Sequence, residues 1–288
     1  MLKLCKLDAL IHRLMSSRRS MTLSQEDVET IAQQLEQAEQ SQTQIGHVSK
    51  QFSGMDMSDA YAIQRAWVAL KLASSQRLVG WKIGLTSRAM QRSAGISEPD
   101  YGQLLDSMIV QSGARLDSHK FIVPRLETEL AFQLKSSLQG PNCTLTDVLS
   151  ATDWVMPALE LIDARIEIED AETGARRQVL DTVSDNAANA AVILGGRPMR
   201  PDSLDLSRVS ATLNRNEVIE DSGVAAAVLT HPAQGVAWLA NKIAAHGEKL
   251  EAGALVLSGS FTSPVAVRSG DVFYANYGEL GVVSVGFD

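Results

Sequence analysis

The stretch "PRLETELAF", residues 124–132, sets Glu127 and Glu129 inside an apolar run. Successive side chains of a strand point to opposite faces, so these two acids share one face and Leu126, Thr128 and Leu130 take the other. Adjacent carboxylates repel each other unless water or positive charge lies between them. A solvent-facing sheet would meet that need, and so would a divalent cation. A third acid, Glu160, stands between Leu159 and Leu161 in "PALELIDARI", close to Asp163. A carboxylate buried among such neighbours needs a partner or must hold its proton. Mg²⁺ and Mn²⁺ prefer oxygen ligands and keep positions for water and substrate. Glu127 and Glu129 could also pair with Arg125 or another arginine, and spacing alone leaves these alternatives open.

Lys82 in "VGWKIGL" lies between Trp81 and Ile83 on a short predicted strand flanked by Gly80 and Gly84. It is either an edge residue whose stem covers apolar surface or a pocket cation holding an anion. Asp100 follows Pro99 in "SEPDYGQLLDSM", where turn formation is reason enough for an aspartate. Other chemistries find less support. The five histidines, His12, His47, His119, His231 and His246, show no HxH or HExxH spacing, and His231 before Pro232 reads as a helix entry. "LSGSFTS" lacks the GxSxG elbow of serine hydrolases. "GWKIGL" and "ILGGRP" lack the glycine spacing of dinucleotide or phosphate loops.

These residues sit in a chain of 288 residues, 45% hydrophobic, long enough for one or two domains with a proper core. A net charge of −8 argues against a nucleic-acid partner. The two cysteines, Cys5 and Cys143, suggest neither disulfides nor a zinc site and fit a reducing cytoplasm. No apolar run reaches the ~18 residues of a membrane span, so no membrane partner is expected. Residues 1–20 are basic, with Lys3, Lys6, Arg13, Arg18 and Arg19 against Asp8, and Met21 resembles a natural start. They read as a dispensable extension, either disordered or upstream of the true start.

A helical portion is expected over residues 21–77, with one helix capped by Ser24 and another in "MSDAYAIQRAWVALKLASS". From residue 78 to 288 short β-like runs dominate, interrupted by helices near "LTDVLSATDW" and in "HPAQGVAWLANKIAAH". Runs of strands with few helices predict an α+β fold with a mixed or antiparallel sheet.

The ordered blocks "GWKIGLTS", "EPDYGQLLDSM", "PRLETELAF", "PALELIDARI", "DTVSDNAANAAVILGG" and "LSGSFTSPVAVRSGDVFYANYGELGVVSVGF" together resemble one family from about Leu23 onward. This is the 2-oxo-4-pentenoate hydratase and 4-oxalocrotonate decarboxylase group of the fumarylacetoacetate hydrolase superfamily. The resemblance implies a mixed β-roll or barrel-like core preceded by helices, and a homo-oligomer, a decamer built from dimers. It implies one Mg²⁺ or Mn²⁺ on Glu127, Glu129 and Glu160, with Lys82 and Asp100 in the pocket and Ser184 of "TVSDN" at the substrate. Trp81 departs from the family pattern, as does Asn216-Glu217 where a hairpin Asn-Gly is expected.

Within the group the chain is most similar to the branch that hydrates a seven-carbon 2-oxo dicarboxylic acid in aromatic breakdown. A second carboxylate calls for a cation, and Arg88 and Arg92, four residues apart on a helix face, are candidates with Arg215. The scaffold's alternatives are a pentenoate hydratase, a decarboxylase, a carbon–carbon hydrolase or a non-catalytic partner subunit. A hydrolase would need a water-activating histidine near the acid blocks, and the retained acids and lysine argue against a non-catalytic subunit.

Overall fold

A computed structural model describes residues 22–288. The expectation of a dispensable segment over residues 1–20 lies outside them. Helix α1, Gln25–Ser41, begins at Ser24, whose hydroxyl accepts from the Asp27 N–H while the Asp27 side chain accepts from the Ser24 N–H. Its stripe of Val28, Ile31, Ala32, Leu35 and Ala38 is buried. After the single turn α2, Val48–Gln51, helix α3, Met57–Ala73, starts from a similar cap at Asp56 and packs against α1. The helices α4 (Arg88–Ala94), α5 (Leu145–Ala151), α6 (Val179–Ser184) and α7 (Pro232–Ala244) complete the set among the described residues. His231 caps α7, its Nδ1 accepting from the Ala233 N–H at 3.1 Å, and Pro232 fills the first turn as expected.

The strands are β1 (Leu78–Gly84), β2 (Asp100–Leu105), β3 (Ile109–Gln111), β4 (Ala114–Leu116), β5 (Arg125–Leu134), β6 (Thr152–Ile162) and β7 (Asn189–Leu194). They continue as β8 (Ser210–Arg215), β9 (Val218–Val224), β10 (Leu255–Leu257), β11 (Val265–Ala266), β12 (Val272–Asn276) and β13 (Val282–Phe287). One sheet runs β2-β1-β10-β5-β6-β7-β3 with β11 on β5, and a second runs β4-β13-β12-β8-β9. β1 pairs parallel with β10, β3 with β7 and β13 with β4, while the other pairings are antiparallel. The fold is α+β with a mixed sheet and a helical N-terminal part. The expected barrel-like closure is not present, because each sheet ends on an unpaired strand among the described residues.

The turn at Asn216-Glu217 forms without the glycine. Both residues take left-handed backbone, φ 49° and 71°. The Asn216 side chain meets the cost by donating to Asp271 at 2.7 Å and accepting from the Val272 N–H at 2.9 Å. The short helices α4 and α6 were not marked by a long apolar period. α6 is held from behind by the Asp181 carboxylate, which accepts from the Ser49 N–H and hydroxyl.

Candidate metal centre and cavity

The long antiparallel pair β5–β6 builds the acid cluster. Its register sets Glu127 directly opposite Glu160 and Glu129 opposite Ala158, so all three acids share one sheet face. The alternate residues Leu126, Leu130, Leu159 and Leu161 enter the main core on the other face. All three glutamates are buried, and they offer oxygens within 4.8 Å of one another. The solvent-facing alternative is therefore excluded for this face.

Each acid is aimed by a neighbour. The Gly259 N–H donates to Glu129 Oε2 at 2.8 Å. Asn189 Nδ2 donates to Glu160 Oε1 at 2.8 Å, and Lys82 Nζ lies 3.2 Å from that oxygen. Glu160 Oε2 has no hydrogen-bond partner although it is buried. Burial, and then the Glu160 charge, push the Glu127 carboxyl up to about 8 and raise Glu129 well above the carboxylate range. Three crowded carboxylates with an orphaned oxygen fit an oxygen-liking divalent cation. Arg125 lowers the Glu127 pKa only as a lesser influence, so it does not substitute for one.

Lys82 and Asp100 come from the antiparallel pair β1–β2, where Gly84 faces Asp100 and Lys82 faces Gly102. A side chain at Gly84 would place its Cβ 2.2 Å from Asp100 Oδ1 and 3.4 Å from Lys82 Nζ, so glycine there makes room for both. Burial disfavours the Lys82 charge, but Glu160, Asp100, Glu127 and Glu129 outweigh it and raise its pKa. Burial raises Asp100, with Lys82 opposing, and Asp100 Oδ1 is buried without a partner. Lys82 is thus a buried cation, not an edge residue covering apolar surface.

Lys82, Asp100 and Glu127 open onto a cavity of ≈ 710 Å³. The other expected substrate residues lie elsewhere. Ser184 is buried at the end of α6, its hydroxyl donating to the Leu180 carbonyl at 2.8 Å, and does not line the cavity. Arg88 and Arg92 are exposed on α4, which turns Met90 and Ala94 to the cavity instead. Arg215 belongs to the β8–β9 hairpin, where its Nε donates to Glu220 at 2.7 Å. The arginines on the cavity wall are Arg125, Arg176 and Arg177, of which only Arg125 fell in a stretch whose pattern drew attention. No histidine lines it among the described residues. Asn189, which aims Glu160, could have been suspected as the one amide opening the apolar run "NAAVIL".

Such a cavity, with one glutamate of the carboxylate triad, a buried lysine, an aspartate and arginines in its wall, fits a metal-dependent enzyme for a small anionic substrate. The family model described as fumarylacetoacetate (FAA) hydrolase C-terminal matches residues 82–286, and the chain belongs to this family. It is 58% identical to the 2-oxo-hept-4-ene-1,7-dioate hydratase of Escherichia coli over 257 residues, 89% of this chain and 96% of that protein. It is 38% identical to the 2-hydroxyhexa-2,4-dienoate hydratase of Comamonas testosteroni, over 90% of this chain and 97% of that one. Among solved structures, the 4-oxalocrotonate decarboxylase from Pseudomonas putida G7, complexed with magnesium and adipate, superposes with a TM-score of 0.89. That match has 36% identity and covers 93% of this chain and 100% of the other.

Proposed function

We propose that this chain is a divalent-metal-dependent hydro-lyase that converts 2-oxo-hept-4-ene-1,7-dioate to 4-hydroxy-2-oxoheptane-1,7-dioate in the breakdown of aromatic compounds. The observation that carries the chemistry is the convergence of Glu127, Glu129 and Glu160 beside Lys82 and Asp100. The 58% identity to the Escherichia coli hydratase over nearly its whole length supports the substrate. We read the cation as Mg²⁺ or Mn²⁺ from the all-oxygen ligand set.

Glu127, Glu129 and Glu160 would hold the cation, which when bound would supply Lewis-acid stabilisation of negative charge on the oxygen of a 2-oxo acid. The chain's own groups handle the protons. Hydration at C4 first needs the double bond moved into conjugation with the C2 carbonyl, by losing a proton at C3 and gaining one at C5. Water then gives its oxygen to C4 and a proton to C3, so the net change is one H₂O. Burial raises the Asp100 pKa, which favours its carrying a proton, and its unpartnered Oδ1 lies beside Gly84 on the side where Lys82 sits. Lys82 stays charged and balances the acids, and it donates to the Ala187 carbonyl at 3.2 Å, which fixes its ammonium in place. Leu85, Met90, Val123 and Ile162 give the cavity an apolar wall.

The exposed Val218 and Ile219 on the edge strand β9, 63% and 61% accessible, support a homo-oligomer in which this sheet is covered. No helix of the described residues is long and apolar enough to cross a membrane. Incubating the purified protein with the 2-oxo dienoate and Mg²⁺ and identifying the product tests the activity. A hydroxylated product supports a hydratase. Carbon dioxide as the main product from 4-oxalocrotonate would make it a decarboxylase instead.

A further inference from the structure

Arg177 is a largely enclosed cation whose charge is incompletely answered among the described residues. Its side chain is 16% exposed, and burial lowers its pKa. The closest acid, Asp185, is 3.9 Å away and already committed, since Oδ2 accepts from the Arg165 N–H at 2.8 Å and Oδ1 is paired with Arg165 Nε. Among the described residues, the one hydrogen bond from the Arg177 guanidinium, to the Ile166 carbonyl, is long at 3.4 Å. Desolvating a guanidinium costs stability unless hydrogen bonds and a counter-charge replace water. Arg177 lines the same cavity as Lys82, Asp100 and Glu127, and it is near enough to Asp100 to hold that pKa down.

The cavity wall carries both signs of charge. Lys82, Asp100 and Glu127 belong to the surroundings of the acid cluster, and Arg177, Arg125 and the exposed Arg176 add positive charge. The same wall holds apolar side chains such as Ile168, Val179 and Leu180. A ligand with an apolar chain and a carboxylate beyond the one at the cation site suits such a wall, and a guanidinium fork matches a carboxylate in geometry as well as charge.

We propose that Arg177 is the specificity-determining residue that receives the second carboxylate of the substrate, the one remote from the 2-oxo group. The assignment replaces Arg88 and Arg92, which lie outside the cavity, and it rests on the dicarboxylate-hydratase reading above. It predicts a loss in Arg177 variants confined to substrates that carry the second carboxylate.

The test compares kcat/KM for 2-oxo-hept-4-ene-1,7-dioate and the monoacid 2-oxopent-4-enoate, in the full chain with Mg²⁺, for wild type, Arg177→Met and Arg177→Lys. The dicarboxylate-to-monoacid ratio should fall about ten- to a hundredfold in Arg177→Met, the range of one charge-assisted contact. Arg177→Lys should recover part of that ratio, chiefly through KM, because it returns the charge without the fork. An unchanged ratio in both variants, or equal losses on both substrates, overturns the assignment and leaves Arg177 a structural partner of Asp185. Should Arg177→Met not fold, the Lys variant decides alone, since an unaltered ratio there excludes bidentate recognition. A wild-type enzyme that prefers the monoacid would overturn the substrate reading itself, whatever the variants do.

Discussion

Lys82 Nζ and Glu160 Oε1 lie 3.2 Å apart, both fully enclosed, on strands that are not neighbours in the sheet. β10 and β5 separate β1 from β6, so the ammonium reaches along the sheet face to the acid cluster. There it partly answers the charge of three carboxylates and borders the cavity.

Lys82→Met should therefore affect stability and turnover differently. Without added metal, the variant should lose about 3–5 kcal/mol, the usual cost of removing one partner from a buried ion pair. Mg²⁺ should still bind, because the carboxylates remain, and should restore much of the melting temperature. Turnover should fall about 10²–10³-fold even when metal is saturating, as expected when a fixed charge beside the reacting atoms is removed. Calorimetric Mg²⁺ titration beside steady-state rates separates the effects. Normal turnover would remove Lys82 from the site.

The acids predict a pH effect on the metal-free protein. The Glu127 pKa is about 8 when folded, against 4.5 when free, so the folded state binds more protons between those values. Stability then falls as pH rises from about 4.5 through 8. Scanning melting temperature against pH in EDTA should show that decline, and Glu127→Gln should flatten it. Mg²⁺ should raise the melting temperature more at pH 8 than at pH 6, because binding needs the ionised carboxylates. A metal-free curve that rises over this interval would contradict the assignment.

Chelation should abolish activity, and Mg²⁺ or Mn²⁺ should each restore it. The Glu127→Gln/Glu129→Gln double variant should not be rescued by either ion. Full turnover in excess EDTA would show that the carboxylates serve another purpose.

Asn189→Leu removes the amide that aims Glu160. Groups that orient a metal ligand typically contribute about 10–100-fold in affinity. Metal titration should report a loss of that size with the overall fold kept, and an unchanged Kd would make Asn189 an ordinary strand residue.

Gly84→Ala asks whether the position of Asp100 matters. The added Cβ would meet Asp100 Oδ1 at 2.2 Å, and the carboxylate can rotate away where a backbone atom could not. Folding should survive while kcat drops, by up to about 10²-fold for an ångström-scale misplacement. Circular dichroism and kinetics on the same sample check both halves.

Local chemistry made much of this legible before folding. Alternation placed Glu127 and Glu129 on one strand face, because the side-chain period of a strand is two whatever the strand pairs with. Ser24 with Asp27 marked the start of α1, and His231-Pro232 the start of α7, since caps depend on residues only a few positions apart. The ordered sequence blocks carried the family and the acid, lysine and aspartate positions.

Pairing was decided only in three dimensions. Whether Glu160 faces the other acids depends on the register of β5 against β6, and a slip of one residue would turn it to the opposite face. Burial of that face, which crowds the acids into a candidate cation site, depends on strands distant in sequence, whose Leu104, Ala131, Ala158, Val192 and Leu257 pack together there. The arginines show the same division. Arg88 and Arg92 had suitable helical spacing but face outward, because α4 turns Met90 and Ala94 to the cavity. Arg177 lies in the polar stretch "GARRQV", where no period singles it out, and it reaches the cavity because the chain between β6 and α6 folds back over the acid face. A sequence determines which groups are present and how neighbours alternate. Which distant groups share one small volume is determined by packing, and the chemistry of this site depends on that volume.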